Sequence, residues 1–193
     1  MQETAAGLPP ETDPRARPLA DLQALLKGRS IALVGNAASL FEGHHRIDDH
    51  DIVIRMNRGP FVLGDEGRAG NRTDILLVSR FRGEEYLSAA PHVVWMTPKY
   101  RNKLKAAEVE RLYFYPPAWW QEVVDQIGSR PSTGCMGIDL IARLAGPENI
   151  HLYGFDFWKS PTTYTGEIRP GPHSPNSEES FARARLRPER IAG

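Results

Sequence analysis

Residues 31–60, IALVGNAASLFEGHHRIDDHDIVIRMNRGP, contain two short apolar runs that each end close to an asparagine. The first, Ile31-Ala32-Leu33-Val34, is uninterrupted and stops at Gly35-Asn36, the pattern of a strand covered on both faces. The second, 51–55, repeats the pattern and closes on Met56-Asn57. A glycine at a strand end lets a ligand approach the backbone, and Asn36 offers an amide donor and a carbonyl acceptor beside it. The same residues also suit a plain strand-to-helix turn, because the G-x-G-x-x-G dinucleotide fingerprint is absent. Asn57 likewise has two readings. It either starts the turn Asn-Arg-Gly-Pro or donates to a phosphate without forming a permanent ion pair.

Outward from this stretch, further strands are expected at 74–78, 92–96, 112–115 and 150–153. Helical spacing marks Leu19, Leu22, Leu25 and Leu26 before Gly28, and helices are expected at 106–111, 119–127 and 134–144. Strands alternating with helices predict a single α/β, Rossmann-like domain with a mainly parallel sheet flanked by helices, whose ligand lies beyond the carboxyl ends of the strands. Residues 1–17 mix Pro, Glu, Thr, Arg and Ala without apolar periodicity and read as a disordered tail, leaving 18–193 as the folded domain. Gly, Pro, Ser and Asn crowd 160–177, which reads as a long functional loop.

Composition narrows the function. Lys and Arg balance Asp and Glu at 24 each, so no overall field points to nucleic acid or an anionic membrane. The single cysteine, Cys135, excludes an internal disulfide, and no run is long and apolar enough to span a bilayer. A cytoplasmic chain is expected, with a peripheral position at an inner membrane as the variant of that reading.

Two later segments carry chemistry. In 130–137, RPSTGCMG, Ser132, Thr133 and Gly134 precede an apolar helix; they either cap it or, with its free amides, cradle an anion. His173 lies five residues before Glu178. A neutral imidazole there would take a proton from a hydroxyl, with the carboxylate orienting it. The competing reading is a solvated loop histidine and a helix-capping glutamate.

Taken together, these pieces resemble the sialyltransferases of glycosyltransferase family 29, as a bacterial-type homologue. Residues 31–60 are similar to the family's large sialyl motif, with its Val-Gly-Asn opening, Ile-Asp-x-x-Asp centre and Arg-Met-Asn-Arg-x-Pro close. Residues 130–158 are similar to the small motif, from Pro-Ser-Thr-Gly to Tyr-Gly-Phe, and His173 with Glu178 reproduces the very small motif. Residues 64–73 and Tyr115-Pro-Pro-Ala-Trp-Trp also look familial. The resemblance implies a GT-A-like variant of the Rossmann-like fold. It also implies an inverting, metal-independent transfer of sialic acid from CMP-sialic acid to a hydroxyl of a glycan or glycolipid, with no cofactor. It assigns Gly35, Asn36, Asn57, Tyr115, Ser132, Thr133, Gly134 and Phe155 to the donor, and His173 with Glu178 to catalysis.

The sequence departs from the family in three places. The paired cysteines of animal members are replaced by Ile31 and, near the second position, Gly146. The third motif's histidine is missing from 159–164, which leaves Tyr164 as the group assigned to phosphate assistance. The span between the large and small motifs, which helps choose the acceptor, is short. Another CMP-linked ulosonic acid such as Kdo, a catalytically impaired CMP-sugar-binding homologue and, on the α/β pattern alone, a dinucleotide oxidoreductase are the alternatives.

Overall fold

Each uninterrupted apolar run becomes a strand whose side chains are buried on both faces. The computed structural model describes residues 8–10, 13–63, 67–80, 83–159 and 171–192. The strands are β1 (Ile31–Val34), β2 (Ile52–Met56), β3 (Ile75–Val78), β4 (His92–Trp95), β5 (Leu112–Phe114), β6 (Ile150–Tyr153) and a two-residue edge strand β7 (Ile191–Ala192). They form one sheet in the order β5-β4-β3-β2-β1-β6-β7, and every neighbouring pair is parallel. The register at the centre sets Ile31 beside both Ile52 and Ile150.

Alternation along the strands sends Leu33, Ile54, Leu77, Val94 and Tyr113 to one face and Ala32, Val53, Leu76 and Val93 to the other. The first face is covered by α1 (Leu19–Leu26), α4 (Pro117–Ile127), α5 (Thr133–Ala145) and α6 (Pro175–Arg185). The second is covered by 3₁₀ turns and two short helices, α2 (Glu84–Ser88) and α3 (Ala106–Val109). Helix α5 lies close to the sheet because Gly137 has no side chain: a Cβ there would meet Leu77 Cδ1 at 2.8 Å.

The chain lays down β1 to β5 in one direction, then returns to place β6 on the other side of β1. The carboxyl ends of β1 and β6 therefore bracket the switch point, where open parallel sheets hold their ligands. The loops beyond β2 are fixed by a buried cation. Arg55, at 1% exposure, donates to the carbonyls of Ala69 (2.6 Å) and Arg72 (2.8 Å). Asp48 accepts from the amides of Asn71 (2.7 Å) and Arg72 (3.1 Å), and Asp51 accepts from the amide and hydroxyl of Ser30. The Ile-Asp-x-x-Asp centre is thus a structural tie rather than a ligand site.

Three boundaries differ from the sequence reading. Residues 13–17, inside the expected tail, pack on the sheet: the Arg17 amide donates to Leu112 O at 2.9 Å and Ala16 is buried beside β5. The Arg17 side chain adds a bond to Pro91 O and lies over the Tyr113 ring, and none of these contacts registers as apolar periodicity. The expected loop 160–177 ends early, since α6 begins at Pro175. The third difference is at the C-terminus, where β7 extends the sheet past β6 without an apolar run to announce it. Among the described residues no helix is long and apolar enough to cross a membrane.

Candidate functional site

The polar groups at the carboxyl ends of the strands begin with Asn57, one residue past β2. Its φ of 49° places it in the left-handed region that asparagine tolerates better than most residues. The Asn57 amide side chain is held at both ends: Oδ1 accepts from the Ser79 backbone N–H at 3.1 Å, and Nδ2 donates to Thr133 Oγ1 at 3.2 Å. Ser79 Oγ lies 2.7 Å from the same threonine oxygen. The ends of β2 and β3 and the head of α5 are tied through three short side chains. Among the described residues the second hydrogen on Nδ2 has no acceptor. Asn36, at the end of β1, turns its Nδ2 toward Met56 O at 3.4 Å and its Oδ1 toward Gly59.

Glycines bring the next pieces into contact. A Cβ on Gly35 would meet Gly154 O at 2.3 Å, so β1 and β6 can only meet this closely without a side chain. The Phe155 ring follows Gly154 and lies over two glycines: a Cβ on Gly134 would meet its Cε1 at 2.8 Å, and one on Gly35 its Cδ2 at 3.0 Å. Gly35, Gly134 and Phe155, expected together from the sequence, are in direct contact.

Helix α5 opens on Ser132, whose Oγ accepts from the Cys135 amide at 3.1 Å. Ser132 is therefore the N-cap, while the Thr133 and Gly134 amides have no acceptor within the helix and lie at its positive end. Glu178 holds this cap from α6. Its Oε1 accepts from the Ser132 amide at 2.8 Å and its Oε2 from the Ser132 hydroxyl at 2.5 Å. At 3% exposure, burial pushes its carboxyl up to about 7, against the lowering effect of the two Ser132 hydrogen bonds.

His173 lies beside this cap on the segment that leads into α6. Its Nδ1 is 2.7 Å from Arg130 O, and a carbonyl only accepts, so Nδ1 carries the proton and Nε2 the free lone pair. The ring stacks on Trp158 at 5.7 Å between centroids and 22° between planes. Phe157 and Trp158 hold φ values of 54° and 63°, a strained pair for side chains of this size. Burial lowers the imidazole below its ordinary value, and the Arg130 charge adds to this while the bond to the Arg130 carbonyl opposes it. The Glu178 carboxylate is 3.9 Å from Nδ1, which already donates elsewhere. Glu178 positions Ser132; it does not orient the histidine as the sequence reading expected.

Two assigned residues stand apart. Tyr115 is fully buried under α5, where its hydroxyl donates to Asp139 Oδ2 at 2.6 Å. It follows Tyr113 by two and so faces the helical layer, not the strand ends. Tyr164 lies outside the described residues. Asp49-His50-Asp51 has the Asp-x-Asp spacing of metal-dependent sugar transferases, a motif that the sequence reading held to be absent. It precedes β2, at the amino end of the sheet, with Asp51 bonded to Ser30.

The sequence reading also missed a cleft of about 830 Å³ that opens from Asn57, Ser79 and Arg130 across the ends of β3 and β4. Arg58, Arg80, Lys103 and Lys105 line it, with Tyr100 and Glu108. These four cations are scattered over 48 positions of a chain with no net charge, and only the fold collects them.

An open parallel sheet with polar side chains, a capped helix head and an imidazole gathered beyond its strand ends defines a Rossmann-like α/β domain. The profile of glycosyltransferase family 29, the sialyltransferase family, matches residues 15–84 of the chain. It is 31% identical over 154 residues to the CMP-N-acetylneuraminate-beta-galactosamide-alpha-2,3-sialyltransferase 1 of Mus musculus, covering 66% of this chain and 44% of the relative. The Sus scrofa protein of the same name is 27% identical over 158 residues, covering 68% of this chain and 45% of its own length. The chain thus spans less than half the length of these curated relatives. Among solved structures, a mammalian sialyltransferase superposes with a TM-score of 0.65 at 22% identity, covering 91% of this chain and 72% of that one. The sialyltransferase CST-II in complex with CMP gives 0.61 at 15% identity, covering 81% and 76%. At these identities the structural likeness establishes the fold.

Proposed function

We propose that the chain is an inverting, metal-independent glycosyltransferase that moves sialic acid from CMP-sialic acid to a hydroxyl of a glycan acceptor. The observation that carries this reading is the fixed tautomer of His173 beside the head of α5. With Nδ1 committed to Arg130 O, Nε2 is a neutral base near pH 7. The acceptor O–H gives its proton to Nε2 as its oxygen bonds to the anomeric carbon. In the same displacement the bond from that carbon to the phosphate oxygen breaks, and its electron pair leaves with CMP. One displacement inverts the centre.

The leaving phosphate gains charge as this bond breaks. The Thr133 and Gly134 amides at the positive end of α5, with the remaining Asn57 N–H, are the donors assigned to it. Such donors replace a cation, because CMP is already a good leaving group. Phe155 closes the inner wall over Gly35 and Gly134. A site for CMP and a carboxylate serves sialic acid and other ulosonic acids alike, and the glycerol tail distinguishes them.

Calorimetric titration with CMP, CDP, UMP, GDP and NAD tests the donor class. The reading expects CMP to bind at least tenfold more tightly than UMP, GDP or NAD. Equal affinities across the panel, or a preference for NAD, would remove the CMP-sugar donor.

A further inference from the structure

The cleft that leads away from Asn57 has a chemistry that the donor does not use. Its inner wall is shared with the donor site, since Asn57 and Ser79 bond to Thr133, and Arg130 holds His173. Its outer wall is formed by the segment between β4 and α3. There Lys103 and Lys105 face the cleft, and Lys103 Nζ lies 5.1 Å above the Tyr100 ring. Tyr100, 55% exposed and held at φ 64°, presents an aromatic surface at the rim. Arg58 and Arg80, after β2 and β3, add two more guanidinium groups to the lining. Among the described lining residues the one carboxylate is Glu108, whose Oε2 accepts the Lys105 backbone N–H at 2.7 Å. Positive charge therefore predominates in a concave, partly desolvated space, which focuses attraction for an anion even though the chain as a whole is neutral.

Neighbouring strands are about 4.8 Å apart, so the end of β4 lies roughly 10 Å from the end of β2. A ligand with a hydroxyl at His173 would meet the Lys103 and Lys105 side of the cleft one sugar ring or so further on. We propose that this cleft is the acceptor subsite and that the acceptor is anionic: a sugar carrying a phosphate or carboxylate about one ring from the hydroxyl that is modified. The proposal rests on the transferase reading above. The aromatic rim receives the sugar ring and the cations receive its charge.

Glucose 6-phosphate, glucuronate and glucose serve as calorimetric probes, each titrated with and without saturating CMP into the unmodified chain and into an Arg80→Ala/Lys103→Ala variant. The expected result is that one or both charged sugars bind at least tenfold more tightly than glucose while CMP is bound. The double substitution should remove that advantage and leave CMP affinity within twofold, which also shows that the variant is folded. Comparison of the phosphate with the carboxylate identifies which anion the cleft takes. Equal binding of charged and neutral sugars would overturn the proposal. So would one-for-one competition between glucose 6-phosphate and CMP, which would assign the cations to the donor. A chain that binds the charged sugars but not CMP would overturn the transferase reading and keep the charge preference of the cleft.

Discussion

Glu178 shows how far a residue's role is written in local sequence. The spacing from His173 identifies the pair, but the partner of Glu178 is Ser132, 46 positions earlier, and its near-complete burial depends on the fold. Because the folded carboxyl binds its proton more tightly than the unfolded one, the stability it contributes is fully present below pH 4.5 and is lost as pH rises through about 7. Glu178→Gln mimics the protonated form. It should flatten this loss, raising stability relative to the unmodified chain by up to about 3 kcal/mol at pH 8 and by little at pH 4.5, as read by denaturant midpoints at both pH values. An equal effect at both would mean that Glu178 does not titrate with folding. Asn57 was legible as a strand-end amide, whereas its bonds to Ser79 and Thr133 were not. Asn57→Ala removes a donor to a charged group and should weaken CMP-sugar binding by about 1.5–3 kcal/mol. Donor affinity unchanged by calorimetry would take Asn57 out of the site.

The strands of the central sheet were readable because both faces are covered, which leaves short, largely apolar runs bounded by polar residues or glycine. Tyr115 shows where residue-type matching misleads and alternation does not: two positions after Tyr113, it joins the same buried layer and bonds to Asp139. Helix α6 was obscured because Pro175, Asn176 and Ser177 have loop composition, although proline in the first turn is also a helix-start signal. Close packing at the switch point depends on missing side chains. Gly134→Ala brings a Cβ to 2.8 Å from the Phe155 ring, which must swing away from Gly35 and Gly134. Overpacking of this kind costs about 1–3 kcal/mol. The thermal midpoint should fall and CMP affinity with it, and a variant equal to the parent in both would show that Phe155 is free to move.

At the scale of the molecule, the neutral balance of 24 against 24 describes the surface as a whole and hides the cationic cleft. Fold class and the grouping of Gly35, Asn57, Thr133, Gly134 and Phe155 beyond the carboxyl ends of the central strands follow from pattern and motif, whereas the strand order does not. The cleft does not, because Arg58, Arg80, Lys103 and Lys105 come from three separate connections. What joins these scales is His173: Arg130 fixes its tautomer, Trp158 its plane, and burial keeps it neutral. The most direct measurement compares His173→Ala with the unmodified chain for CMP-sialic acid binding and for transfer to a glycan acceptor, from pH 5 to 8. The account predicts donor affinity within a fewfold of the parent and transfer reduced about 10²- to 10⁴-fold, with the parent's acid-side fall in kcat/KM below pH 6.5 missing from the variant. Transfer at the parental rate, or a loss of donor binding as large as the loss of transfer, would contradict it.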